Sequence, residues 1–119
     1  MESVKLYDSE WKLMELLWEK EPVSARELTV LASEKIGWNK NTTYTIVKKL
    51  VEKGVVRRED PGFYCTSLVK KVEVQRSETK SLIDKLFRGS RKAFFAALLE
   101  DEAISEEELA QLKDMIEKA

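Results

Sequence analysis

Between Trp38 and Arg58 the sequence reads WNKNTTYTIVKKLVEKGVVRR, and its hydrogen-bonding and cationic side chains recur with helical spacing. At about 100° per residue, Thr43, Ile46, Val47 and Leu50 share one face of a helix, while Asn41, Tyr44, Thr45 and Lys48 share the opposite face. The first face is aliphatic and suited to a core. A face that is merely solvated more commonly mixes Glu with Lys at i,i+4. Here Glu52 is the only acid between Lys35 and Arg58, against Lys35, Lys40, Lys48, Lys49, Lys53, Arg57 and Arg58, a local charge of +6. Cations grouped in this way suit the phosphates of duplex DNA, and Asn, Thr and Tyr groups at a helix start can reach base edges in the major groove. The segment reads as a recognition helix of about residues 39–53.

Its ends are legible. Asn39 or Asn41 can cap the N-terminus, and Gly54 stands where a left-handed residue would close the C-terminus. Beyond the glycine come VVRRED, the turn dipeptide PG, and FYCT, which predict a hairpin over residues 55–66. A helix followed directly by a hairpin is the arrangement of a wing, with Arg57 and Arg58 beside the recognition helix where they can meet phosphate.

The elements that must position this segment precede it. Asp8 or Ser9 can cap a helix running to about Lys20, whose Trp11, Met14, Leu17 and Trp18, widened by Leu13 and Leu16, form a core stripe. Pro22 ends that helix, and Val23 fits a short bridge to the wing. Ser24 and Glu27 form a capping box for a second helix through about Lys35, with Leu28, Leu31 and Ala32 inward and Ile36 packing after it. Ile36, Gly37 and Trp38 then turn the chain into the basic helix, which completes a helix-turn-helix.

From Ser67 the pattern predicts a long helix through about Arg88, striped by Leu68, Val72, Gln75, Thr79, Leu82, Ile83 and Leu86. Gly89 breaks it, Ser90 caps a short helix with Phe94, Phe95, Leu98 and Leu99, and Ser105 with Glu108 opens a last helix with Leu109, Leu112, Met115 and Ile116 inward. Three helices in about 50 residues carry more apolar surface than a chain of that size buries alone. A partner chain is the simplest cover, and the expected dimerisation residues are Leu82, Ile83, Leu86, Phe87, Phe94, Phe95, Leu98, Leu99, Leu109, Leu112 and Ile116. The competing reading is that these helices extend a monomeric core. The predicted fold is mainly α, a winged helix-turn-helix over 1–67 followed by a three-helix dimerisation tail over 68–119.

Composition removes most other functions. The 119 residues contain no histidine, which excludes His-based triads, His metal ligands and the usual proton shuttle, and a single Cys65 that cannot form an internal disulfide. Cys65 reads as a small half-buried strand residue, with a sensing thiol as the alternative. There is no Gly-rich phosphate loop and no nucleophile elbow, so neither enzyme activity nor a metal or other cofactor is expected. No apolar run approaches the ~20 residues of a membrane span, and the N-terminus lacks the hydrophobic stretch of a signal peptide, so no membrane partner and a cytoplasmic location are expected. The net charge of -1 conceals strong segregation: -4 over residues 1–34, +6 over 35–58, -2 over 59–66, +5 over 67–99 and -6 over 100–119. DNA responds to the local field rather than to the total.

With these features in place, nearly the whole chain resembles the penicillinase repressor family, the bacterial BlaI/MecI-type winged-helix repressors, whose relatives include copper-responsive CopY-type repressors. The resemblance rests on EWKLMELLW at Glu10 to Trp18, on PVSARELTVLA, on W-x-x-x-T-x-x-T followed by KL and KG between Trp38 and Gly54, and on the C-terminal GS…LLEDEAISEEELAQL. It implies a homodimer that occupies an inverted-repeat operator and blocks polymerase. By position it places Thr42 and Thr45 where family members approach bases and Lys49 where many carry an Arg to phosphate, with Lys40, Asn41 and Tyr44 in variable recognition positions. Tyr44, read as a bulky exposed aromatic, could touch a thymine methyl, stack on sugar, or be a plain surface residue.

The departures from the family pattern concern regulation more than fold. Tyr7 stands where the family often has a Ser/Thr cap, which passes that role to Asp8. The Asn-Phe bond cut during induction of the penicillinase repressors corresponds to Ala97 and Leu98 and is absent, which argues against a membrane sensor protease as partner. The paired Cys-x-Cys motifs of the copper-responsive relatives are absent as well. The reading is therefore a dimeric repressor with base contacts from Asn41, Thr42, Tyr44 and Thr45, and phosphate contacts from Lys40, Lys48, Lys49, Arg57 and Arg58. The alternatives are a winged-helix protein assembly module or a sequence-tolerant DNA binder.

Overall fold

Apolar stripes at helical spacing bring three helices and a small sheet around one core. A computed structural model describes residues 4–101 and 103–118; the first three residues of the expected lead-in lie outside this range. The order is α1 (Asp8–Lys20), β1 (Val23–Ser24), α2 (Ala25–Lys35), α3 (Lys40–Glu52), β2 (Val56–Glu59), β3 (Tyr64–Ser67), α4 (Lys71–Phe87), α5 (Arg91–Glu100) and α6 (Glu106–Lys118). Residues up to Glu78 form one compact unit and those from Thr79 another, the division falling inside α4.

In the first unit α1, α2 and α3 pack mutually and the sheet closes one side. β3 is central, antiparallel to both β1 and β2, with Val23 opposite Cys65 on one side and Arg58 opposite Cys65 on the other. This helix-turn-helix with its hairpin is a winged helix. The core holds Leu13, Met14 and Leu17 of α1, Leu28 and Ala32 of α2, and Ile46, Val47 and Leu50 of α3, with Val55, Val56 and Cys65 from the wing. Trp11 and Trp18 meet edge to face at 5.4 Å against it, and the Trp18 indole N–H donates to Val69 O at 3.0 Å.

Local chemistry fixes the helix ends. Ser24 Oγ accepts the Glu27 N–H at 3.1 Å, and Asn39, rather than Asn41, caps α3 by accepting the Thr42 N–H at 2.8 Å. At the other end Gly54 takes φ +76, its N–H bonding Val51 O while the Val55 N–H bonds Leu50 O, which is the paired closure that favours glycine.

Several expectations are corrected. The cap of α1 is Tyr7, not Asp8 or Ser9: Glu10 reaches back to accept the Tyr7 N–H at 2.8 Å, so the carboxylate does what a Ser or Asp cap usually does. The long helix begins at Lys71, not Ser67, because Ser67 remains in β3, with its N–H and hydroxyl on Glu21 and the Leu68 N–H on Val55 O. The predicted stripe holds only in part: Leu68 and Val72 are exposed, and the buried residues of α4 are Val74, outside the stripe, and Ile83, within it. Residues 4–6 are held against this helix, Ser77 Oγ donating to Val4 O and Glu78 accepting the Leu6 N–H. Cys65 is wholly buried rather than half-buried, and burial pushes its thiol from 9.0 up to about 11 against a partial offset from Arg58.

In the second unit Gly89 ends α4 and Ser90 Oγ caps α5 by accepting the Ala93 N–H; Ser105 does the same for α6 through the Glu108 N–H. Phe87 and Phe94 meet edge to face at 5.6 Å, and Ile83 is buried within the single chain. The inward placement expected for α6 does not hold: Leu109, Leu112, Met115 and Ile116 are 43%, 42%, 67% and 69% exposed. Leu82, Leu86, Phe95, Leu98 and Leu99 are uncovered as well.

One buried charge ties α1 to the end of α3. Glu10 is 1% exposed, and its Oε1 accepts both the Tyr7 N–H and Lys53 Nζ, the latter at 2.6 Å. Removing the lysine strands a buried carboxylate, whereas removing the acid's charge returns a one-third-exposed lysine to water. Lys53→Met is therefore expected to cost about 3 kcal/mol and Glu10→Gln about 1 kcal/mol in urea unfolding; equal losses would contradict this asymmetry. The buried thiol gives a second test. Unfolded Cys65 releases its proton near pH 9 while the folded thiol holds it to about 11, so stability falls as pH rises through that window. The wild type should lose stability relative to Cys65→Ala between those pH values; parallel curves would contradict the shift.

Candidate nucleic-acid interface

Because Thr43, Ile46, Val47 and Leu50 are committed to the core, the opposite face of α3 has one orientation available to it, and that face meets solvent. Lys40, Asn41, Thr42, Thr45, Lys48 and Lys49 are exposed there. The first turn contains no acid, and among the described residues Lys40, Lys48 and Lys49 make no salt bridge. A helix N-terminus free of carboxylates, followed by unpaired ammonium groups, attracts anions through both its amide dipoles and its full charges.

Two of the expected contact residues are more constrained than sequence suggested. The Thr45 hydroxyl donates to Asn41 O at 2.9 Å, so its hydrogen is engaged within the helix and the groups left for a partner are its oxygen lone pairs and its methyl. Tyr44 is half-buried, not the exposed aromatic expected. It packs on the core and lies 6.3 Å, centroid to centroid, from Phe63 of the wing, with Lys40 Nζ 5.8 Å above its ring. An edge of the ring remains for contact, framed by neighbours.

The wing carries its arginines on β2, both exposed. Each has an acid close by: Arg57 Nε lies 3.1 Å from Glu59 and Arg58 Nε 3.5 Å from Asp60. Such exposed pairs contribute at most about 1 kcal/mol, so they orient the guanidinium groups without withdrawing them from a stronger phosphate contact. Arg58 also stacks over Phe63, its Cζ 3.7 Å from the ring centroid. Lys40, Tyr44, Phe63 and Arg58 thus form one continuous row from the start of α3 to the wing. Lys48 and Lys49 follow about one turn beyond Tyr44 on α3. Phe63 was not among the residues expected from sequence; its signal was an aromatic placed directly after a Pro-Gly turn.

No group of three or more His, Cys, Asp or Glu side chains that could hold a metal occurs among the described residues. None of the described helices is long and apolar enough to cross a membrane.

Comparison with known proteins places this geometry in context. A family model described as penicillinase repressor matches residues 6–118. An uncharacterized 16.5 kDa protein of Latilactobacillus sakei is 30% identical over 110 residues, covering 91% of this chain and 75% of that protein. The methicillin resistance regulatory protein MecI of Mammaliicoccus sciuri is 24% identical over 116 residues, covering 96% of this chain and 94% of that protein. A penicillinase repressor of Staphylococcus aureus is 26% identical over 116 residues, covering 95% and 91%.

Proposed function

Given that the chain belongs to the penicillinase repressor family, we propose that it is a dimeric transcriptional repressor that reads an inverted-repeat operator. The carrying observation is the division of α3: one face is locked in the core, and the other presents Lys40, Asn41, Thr42, Thr45, Lys48 and Lys49, with Glu52 at the last position the one acid of the helix. Asn41, Thr42, Thr45 and the free edge of Tyr44 meet base edges, while Lys40, Lys48, Lys49, Arg57 and Arg58 hold phosphates.

The second unit supports the dimer. Neither α5 nor α6 buries a single residue within the described chain. Leu82, Leu86, Phe95, Leu98, Leu99, Leu109, Leu112 and Ile116 supply the apolar surface for a second copy, Phe87 and Phe94 support it from within, and Ile83 contributes through the chain's own packing. A two-fold partner presents two recognition helices to two half-sites about one or two DNA turns apart. The residues at the position of the family's cleaved bond, Ala97 and Leu98, lie within α5 and do not form that bond, which argues against release from DNA by a sensor protease.

The test is selection of bound duplexes from a random pool by the purified protein, with its mass measured in solution. An inverted repeat enriched by a two-chain species supports the proposal; no enrichment, or a single chain, moves it to an assembly module, and binding without sequence preference moves it to a tolerant DNA binder. Two variants sharpen it. Thr45→Ala should lose about 1 to 3 kcal/mol on the selected duplex and little on random DNA, equal loss on both rejecting a base contact. Leu112→Glu with Ile116→Glu should shift the mass to one chain and weaken operator binding, and an unchanged mass would remove these residues from the interface.

A further inference from the structure

Phe63 occupies a conformation that its side chain does not favour. Its φ is +50, in the left-handed region that a bulky residue rarely adopts, although Gly62 beside it at φ +96 is free to take such angles. Such conformations persist where surrounding contacts over-determine them. Here three contacts do so. The Phe63 carbonyl accepts the Ala25 N–H at 2.9 Å, stitching the wing turn to the first residue of α2. One part of the ring meets Tyr44 of α3 at 6.3 Å with the planes tilted by 48°, and the ring face lies under the Arg58 guanidinium at 3.7 Å. A single residue therefore joins both helices of the helix-turn-helix to the wing, α2 through its backbone carbonyl and α3 through its ring.

An exposed arginine on a two-stranded wing would otherwise sample many rotamers, and ordering it on a phosphate would cost side-chain entropy. The aromatic face removes most of that freedom beforehand, since a planar guanidinium stacks on a ring where an ammonium does not. Asp60 holds the same group from its edge through Nε. Tyr44 is fixed by the same ring, so the distance between the start of the recognition helix and the wing cation is set by one residue that itself need touch no DNA.

We propose that Phe63 is the positioning residue of the interface, clamping Arg58 and Tyr44 in one row so that wing and recognition helix engage a duplex as a unit. This rests on the DNA-binding reading above. The experiment measures binding of the selected duplex over a range of salt for the wild type, Phe63→Leu, Phe63→Tyr, Arg58→Lys, Arg58→Ala and the Phe63→Leu/Arg58→Ala pair. Phe63→Leu should weaken binding by about twofold to fivefold, Phe63→Tyr should restore it, and Arg58→Lys should lose as much as Phe63→Leu although its charge is kept. Phe63→Leu should cost less in the Arg58→Ala background than in the wild type, the remainder being its hold on Tyr44. Losses that multiply, or Arg58→Lys binding like the wild type, overturn the clamp while leaving DNA binding in place. A wild type that binds no duplex overturns both. Should Phe63→Leu fail to fold, the Arg58→Lys comparison at an exposed strand position decides alone.

Discussion

The first unit depends on α3 serving two masters at once, with Thr43, Ile46, Val47 and Leu50 inside the core and the residues between them outside. Burial of each aliphatic side chain contributes about 1.5 to 3 kcal/mol, so a one-residue roll of the helix, through about 100°, would exchange those contacts for solvent. The surface face is fixed by what the buried face cannot give up. Both ends are pinned as well, Asn39 holding the first turn, and Gly54 with the Lys53–Glu10 pair holding the last. A rigid element with one polar, cationic side is what major-groove recognition requires, and here rigidity and exposure come from the same stripe.

The wing extends that logic. Its strands are too short to stand alone, so β3 is sandwiched between β1 and β2 and anchored by Glu21 on Ser67 and by Phe63 O on the α2 amide. The cations it presents are balanced one for one by Glu59 and Asp60, so the wing adds little to the general field. Its contribution is one of placement. The second unit differs in kind: its helices are well capped, yet their apolar stripes remain uncovered, and the proposed dimer would cover them.

Sequence revealed the features governed by neighbours along the chain. The α3 stripe, the Asn39 cap, the Gly54 stop, the Ser24 cap and the Pro-Gly hairpin all follow from residues within a few positions of one another. What it missed was decided by distant residues. Tyr44 looked exposed because Phe63, nineteen positions on, is what covers it. The start of α4 was placed early because the Glu21–Ser67 and Trp18–Val69 bonds, which keep residues 67–69 out of a helix, join elements 46 and 51 positions apart. Tyr7 was passed over as a cap because the capping group belongs to Glu10. The α6 stripe was legible as a stripe, but an inward direction presupposed a cover that the single chain does not supply.

The most direct measurement of the central claim is the amide NMR spectrum of the protein titrated with its selected duplex. The account predicts that the large shifts fall on residues 39–49 and on 57–63, with α1 and the acidic α6 nearly unmoved. Shifts centred on α1 and α2, with the exposed face of α3 unchanged, would contradict it.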